Sequence, residues 1–423
     1  MRNATLAALA VAIVLAAVVY LGITRPGSAV VSTPTPTPTS DVSAPPSATA
    51  SVRASAATPI PSATTSGAFG AVTMQVTRTT VPAEFRYLIL GSGEEFRLVV
   101  LDLNAGRATT VATARLTVPP GAATGPSAGV SASLDGRIVL VTFEVPEASD
   151  SLFVVHPETG EANLLLRGEI RAAVVSSDGA RIAIGRNDED PSITGLWIGT
   201  PDGAIRRLLS DDPSATGSPP RPYAFSPDNL FLAFGLGLGD NGWEAMMIAA
   251  SSKEGRIERS SGGPQIVGAD ASVVGPAVGA EFRSARELFV WSSRSMFGGS
   301  TVAYIYDTAT KTSTDLYRPP AGVLITAAAS RPNTREFATV ERPECCGVFV
   351  AGTAAWLRGQ DQSARKLGDA VFVVDLWWSR DGTRLFAEGG GDDSVGGVTD
   401  LLSGKGVMQF CKRGGGPPPA PCT

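Results

Sequence analysis

From about residue 70 onward, apolar and polar positions alternate over short stretches, with no run of helical periodicity. Leu98, Val100 and Leu103, for example, are set against Arg97 and Asp102. This is the pattern of half-buried strands. One of them recurs. Phe225 to Phe234 reads FSPDNLFLAF, and related stretches are SLDGRIVLV from Ser133, SSDGARIAI from Ser176, SRPNTREFATV from Ser330 and SRDGTRLFA from Ser379. With a degenerate copy at Arg283, the anchors Ser133, Ser176, Ser226, Arg283, Ser330 and Ser379 are separated by 43, 50, 57, 47 and 49 residues. One further step back lands at Ala83, where AEFRYLIL reads as the second half of a degenerate unit. Each hairpin is followed by an apolar strand, a polar turn and another strand, as in FRLVVLDLNAGRATTVA (96–112), LFVVHPETGEANLLL (152–166), LWIGTPDGAIRRLL (196–209) and VAYIYDTATKTSTDLY (302–317). Four strands a–b–c–d in about 45–50 residues are the content of one β-propeller blade. The pattern therefore predicts an all-β, seven-bladed β-propeller. The degenerate units at Ala83 and Arg283 leave six or eight blades open.

The hairpin motif resembles that of the TolB-like, PD40 class of β-propellers, relatives of the WD40 repeats, whose mark is S-P-D-G-x-x-[IL]-A-F. Ser226, Pro227, Asp228, Leu232, Ala233 and Phe234 match it, with Asn229 in place of the glycine. Ser176-Ser177-Asp178-Gly179 and Ser379-Arg380-Asp381-Gly382 match the turn core. The resemblance covers about residues 80–411 and implies a fold rather than an activity, because activities vary across such propellers. Asp-Gly or Asp-Asn supports a tight turn, and Ser and Asp side chains bond nearby backbone groups. Asp135, Asp178, Asp228 and Asp381 are accordingly read as turn residues and not as catalytic acids.

Upstream, the pattern changes twice. Residues 4–23, ATLAALAVAIVLAAVVYLGI, are uncharged and continuously apolar for 20 positions. As a helix they span ~30 Å, the thickness of a bilayer core. With residues 1–3 before them and Arg25 after, they predict a transmembrane signal-anchor helix with a short cytoplasmic end. The alternative is a cleaved signal peptide ending near Gly27-Ser28-Ala29. Either reading places the remainder outside the cytoplasm. Residues 26–67 are rich in Ser, Thr, Pro and Ala, with no aromatic residue and only Asp41 and Arg53 charged. They bury too little apolar surface to offset ordering entropy and read as a disordered stalk. The propeller is expected over 70–411 and a Gly/Pro-rich tail over 412–423.

Charge removes one class of partner. The chain of 423 residues carries 35 basic and 40 acidic side chains, for a formal net charge of −5. Nucleic acid binding, which needs a basic patch, is not expected. Gly125-Pro126-Ser127-Ala128-Gly129 fits the G-x-S-x-G pattern, but that nucleophile needs a strand–turn–helix context and a histidine base. The stretch reads as a Gly/Pro loop between blades, and His156 is the single histidine. No spacing fits a His/Cys metal site, so neither a catalytic residue nor a cofactor is assigned. Asp188-Glu189-Asp190 and Asp392-Asp393 are acidic enough for calcium, with solvated loop acids as the plainer reading. Four cysteines, Cys345, Cys346, Cys411 and Cys422, outside the cytoplasm point to disulfides. A vicinal bridge would be strained. Pairing of Cys345 and Cys346 with Cys411 and Cys422 would pin the last strand and tail to the sixth blade.

In a four-stranded blade the b–c and d–a connections share one face. The expected b–c loops carry Glu94, Glu95, Glu144, Glu147, Asp150, Asp188, Glu189, Asp190, Asp240, Glu341, Glu344, Glu388, Asp392 and Asp393, against Arg186, Arg294 and Arg342. This acidic face is a candidate binding face for a cationic partner or a divalent ion. Long Pro/Gly insertions are expected in the d–a loops at 113–130, 210–222 and 260–278. The functional expectation is a non-enzymatic protein- or ligand-binding scaffold, anchored in the cell membrane with its C-terminal domain extracytoplasmic, or secreted after cleavage. The alternative is an extracytoplasmic enzyme, of lyase or glycan-active hydrolase type, with its site at the channel mouth. That alternative requires carboxylates converging on the axis.

Overall fold

A computed structural model describes residues 71–119, 125–188, 190–212, 218–237, 243–260, 263–292, 301–344, 353–359, 363–369, 373–390, 396–411 and 420–421. The apolar run at 4–23, the stalk at 26–67, Glu189, Asp240, Asp392, Asp393, Cys345, Cys346 and Cys422 lie outside them. So does the side chain of Cys411.

The described strands form seven sheets. Blade 1 holds β1 (Val72–Val76), β2 (Phe85–Ser92), β3 (Glu95–Asp102) and β4 (Arg107–Leu116). Blade 2 holds β5 (Ser127–Ala132), β6 (Val139–Glu144), β7 (Asp150–His156) and β8 (Glu161–Gly168). Blade 3 holds β9 (Ile170–Val175), β10 (Ile182–Arg186), β11 (Gly195–Gly199) and β12 (Ile205–Ser210). Blade 4 starts with β13 (Arg221–Phe225), β14 (Phe231–Gly237) and β15 (Trp243–Ala249). An inserted hairpin, β16 (Gly255–Ser260) and β17 (Gly263–Val267), precedes its outer strand β18 (Ala271–Pro276). Blade 5 holds β19 (Gly279–Phe282), β20 (Glu287–Ser292), β21 (Val302–Asp307) and β22 (Thr312–Tyr317). Blade 6 holds β23 (Val323–Ser330), β24 (Phe337–Pro343), β25 (Ala354–Arg358) and β26 (Ala364–Asp369). Blade 7 holds β27 (Val373–Trp378), β28 (Leu385–Gly390), β29 (Gly396–Asp400) and β30 (Lys405–Cys411), with the two-residue β31 (Ala420–Pro421) on its outer edge.

The sequence pattern follows from position within a blade. The b strands, sandwiched between neighbouring blades, are buried on both faces: all but the last residue of Val139–Glu144, and every residue of Ile182–Arg186. They therefore read as continuous apolar runs. Outer strands such as Thr312–Tyr317 are largely exposed and polar. Between strands a and b the Ser hydroxyl donates to the Asp carboxylate two positions on: Ser133 to Asp135 at 2.7 Å, Ser176 to Asp178 at 2.7 Å, Ser226 to Asp228 at 2.6 Å and Ser379 to Asp381 at 2.6 Å. The fourth turn position is left-handed, with φ of 72° at Gly136, 73° at Gly179 and 69° at Gly382. Asn229 takes the same conformation at φ 58°, which asparagine tolerates better than most residues.

Blade 1 departs from the four-strand expectation. Its inner strand β2 runs opposite to β5. The start of β2 lies beside the a–b turn of blade 2, where Tyr87 Oη donates to the Gly136 carbonyl at 2.9 Å, whereas β5 ends at that turn. A register shift interrupts the c–d pair of every blade, and the β3–β4 pair carries it at Leu98/Val99. β2, β3 and β4 are thus strands b, c and d, and β1 adds a strand outside them. Among the described residues, no strand occupies position a of blade 1.

The ring closes by side-chain packing. Leu88, Leu90, Val99 and Leu101 of blade 1 cluster with Phe386 and Val398 of blade 7. Arg384 donates to the Leu103 carbonyl at 2.9 Å and to Asn104 Oδ1 at 2.7 Å. The expected d–a insertion at 260–278 is instead a hairpin within blade 4 that reaches back to blade 3, with β16 parallel to β12. Arg259 fixes it by donating to Asp211 at 2.7 and 3.2 Å and to the Gly237 and Ser218 carbonyls at 2.6 and 2.9 Å.

Candidate functional site

The inner strands enclose a cavity of about 740 Å³. Its wall takes residues from β2, β5, β9, β13, β19 and β27, each separated by tens of positions in sequence. Call the end with the a–b and c–d turns the turn face and the opposite end the loop face. Arg171 and Arg221 open β9 and β13 at the loop face, and Arg380 lies on an a–b turn at the turn face. Trp291, Trp377 and Trp378 supply aromatic surface, and Tyr87 and Tyr223 supply phenols. Burial pushes Tyr223 up to about 12 despite the opposing charge of Arg221.

The charges divide into engaged and available groups. Arg86 pairs with Asp375 and lies 4.6 Å over the ring of Trp377. Arg171 is 3.6 Å from Glu169, and Glu144 accepts from Ser127 Oγ at 2.8 Å. Arg380 lies 4.8 Å over Phe85 and donates to the Leu134 carbonyl. Arg221 is exposed and has no ion pair among the described residues. Trp377 Nε1 is buried without an acceptor there.

Acids also gather beside the axis. Glu388 of β28 is held above the usual carboxylate range by burial and by the charge of Asp375, with Arg86 opposing. Burial raises Glu281 of β19 as well; it accepts the Ser330 N–H and feels Asp375 and Arg283. Among the described residues, no three His, Cys, Asp or Glu side chains converge as metal ligands.

The acids singled out in the sequence fall in different surroundings. Glu94 and Glu147 are exposed on the loop face. Glu95 lies 3.2 Å from Arg97 and 3.8 Å from Arg115. Asp150 ties blade 2 to blade 3, accepting from Val145 N at 3.2 Å and Ile170 N at 2.8 Å; burial pushes it up to about 6. Asp188 binds the buried Arg186 at 2.8 Å. Asp190 caps its own turn through Ser192 N at 2.8 Å. Glu341 and Glu388 lie within β24 and β28 rather than in loops. Glu341 forms a buried pair with Arg358 at 2.6 Å. Ser127 opens β5 at the loop face, while His156 ends β7 at the turn face of the same blade, so the two do not meet. The axial arginines and tryptophans carry no local motif. They sit on inner strands, on the b strands beside them and on an a–b turn, so nothing along the chain groups them.

No known protein family matches the sequence, and no curated protein matches it. Solved structures do. A prolyl endopeptidase is 12% identical, with 79% of this chain on 49% of that one and a TM-score of 0.52. An oligogalacturonate lyase in complex with manganese is 10% identical, covering 80% and 85%, at 0.48. TolB from Acinetobacter baumannii is 13% identical, covering 82% and 79%, at 0.42. The chain spans about half the length of the prolyl endopeptidase. At such identities the likeness is one of fold, and the seven sheets define that fold as a seven-bladed β-propeller.

Proposed function

We propose that this chain is a non-enzymatic binding module of the TolB-like, PD40 class, which takes its ligand in the axial cavity. In this reading residues 4–23 hold it at the outer side of a membrane and residues 26–67 space it away. The observation that carries the proposal is the 740 Å³ cavity, of the size that small ligands and peptide segments occupy, with arginines at both mouths and tryptophans in its wall. The exposed Glu94 and Glu147 add an acidic rim at the loop face for a partner with cationic groups. The test is photo-crosslinking in cells from the full chain. A crosslinker at Ala173, in the cavity wall, should capture a ligand, and one at the outer-strand Thr314 should not. Equal capture from both positions would contradict the proposal.

One observation favours the enzymatic alternative: Asp375, in the cavity wall, is close enough to Glu281 and to Glu388 for its charge to raise both. A panel of neutral and uronate oligosaccharides tests it. Turnover abolished in Asp375→Asn would establish an enzyme.

A further inference from the structure

Among the described residues, six blades place a strand at position a, and blade 1 does not. The position is defined by its neighbours. Glu84 O accepts from Leu103 N, so even-numbered residues of β2 turn their backbone groups to β3. By the alternation of an antiparallel pair, Phe85, Tyr87 and Ile89 turn their N–H and C=O groups towards the axis. Across the gap, every residue from Ser127 to Leu134 lines the cavity, whereas β9 contributes four residues and β13 three. β5 is therefore uncovered on the flank that a blade 1 inner strand would cover. Ala128 and Val130, which turn to that flank, line the cavity and are only half-buried. The buried Trp377 Nε1 without an acceptor lies on the blade 7 side.

We propose that this slot receives an extended peptide segment of a partner protein, which completes blade 1 by strand addition along β2. The inference rests on the axial-cavity reading and names its ligand class. Strand addition supplies affinity through main-chain hydrogen bonds and specificity through alternate side chains. A strand rises about 3.3 Å per residue and lies about 4.8 Å from its neighbour, so four or five residues fill the slot from face to face. The peptide runs antiparallel to β2, the sense of the other inner strands. Arg221, unpaired among the described residues, selects an acidic side chain at the loop-face end. Trp291 and Trp377 select apolar ones deeper in.

The test uses the full chain and two synthetic octapeptides: the sequence of residues 170–177, which is an inner strand of this protein, and the same peptide carrying Arg171→Asp. Amide exchange is read at single residues. The amides of Phe85, Tyr87 and Ile89 should exchange freely in the unliganded chain and slow at least tenfold with peptide. The Asp peptide should bind at least fivefold more tightly. Ala128→Phe, which projects into the slot, should abolish binding and protection. Gly368→Phe, into open space on the outer strand β26, should change neither and controls for folding. Binding lost in Ala128→Phe without protection of β2 would overturn strand addition and leave the axial-cavity reading standing. Protection already present without peptide, and lost on removing residues 1–70, would overturn the proposal by showing that the chain fills its own slot. Failure of both peptides to bind an unprotected β2 would also overturn it.

Discussion

Arg86 pairs with Asp375 across 289 positions of sequence, and through this pair the first blade is joined to the last at the cavity wall. The guanidinium also covers Trp377 at 4.6 Å and opposes the charges crowded around Asp375 and Glu388. Arg86→Ala removes the ion pair and the cation–π contact, a loss of about 1–2 kcal/mol. It also leaves the carboxylates unopposed. Because burial and the charge of Asp375 hold Glu388 above the usual carboxylate range and Arg86 opposes this, the loss of thermal stability should grow as pH rises from 5 to 8. An equal loss at both values would show that the arginine acts by packing alone.

Asp150 gives a second pH dependence. Burial raises it to about 6 in the fold, so between about 4 and 6 the folded chain holds a proton that the unfolded chain has released. Stability from this group is present below the unfolded value and declines as pH rises through the folded one. Because the side chain is only partly buried, the expected change is about 1 kcal/mol. Denaturant titrations from pH 4 to 7 should show this decline in the parent, and Asp150→Asn should flatten it.

The a–b turns make a sharper demand on backbone than on chemistry. Gly179 has φ 73°, and a Cβ there would meet Ile138 at 3.0 Å. Gly179→Ala should cost about 1–2 kcal/mol, read as a lowered melting temperature. Asn229→Ala should cost a similar amount, since it loses both its tolerance of φ 58° and the bond from its Nδ2 to Asp178 Oδ2 at 2.6 Å.

Arg259 and Asp211 hold the inserted hairpin with side chains only 9% and 3% exposed. Arg259→Ala strands a buried carboxylate, at a cost of about 3–5 kcal/mol. Limited proteolysis should then cut within 255–267 before the propeller. Arg259→Ala with Asp211→Ala should restore much of the resistance.

The b strands and a–b turns were legible in sequence because each is local. A strand buried on both faces must be apolar throughout, and its turn needs Ser, Asp and a left-handed residue at fixed spacing. Even AEFRYLIL was readable as a second half, since β2 keeps the apolar composition of a b strand. That no described strand takes position a of blade 1 was not readable, because VTMQV (72–76) has the composition of a strand and nothing local says that it pairs outside β4. The inserted hairpin was missed for the opposite reason. GRIERS at 255–260 alternates weakly, with Ile257 its one core side chain, and is fixed largely by the polar contacts of Arg259. The cavity is assembled from residues tens of positions apart, so its arginines and tryptophans form no motif along the chain.

Charge reversal separates the axial cavity from the acidic loops most directly. Binding of the crosslinked ligand to the full chain is to be compared between Arg221→Glu with Arg380→Glu, at the two mouths, and Glu94→Lys with Glu147→Lys, on the loop face. The axial reading predicts at least a tenfold loss of affinity in the first pair and less than a threefold change in the second. Loss confined to the Glu94 and Glu147 pair would contradict it and move the binding site to the acidic face.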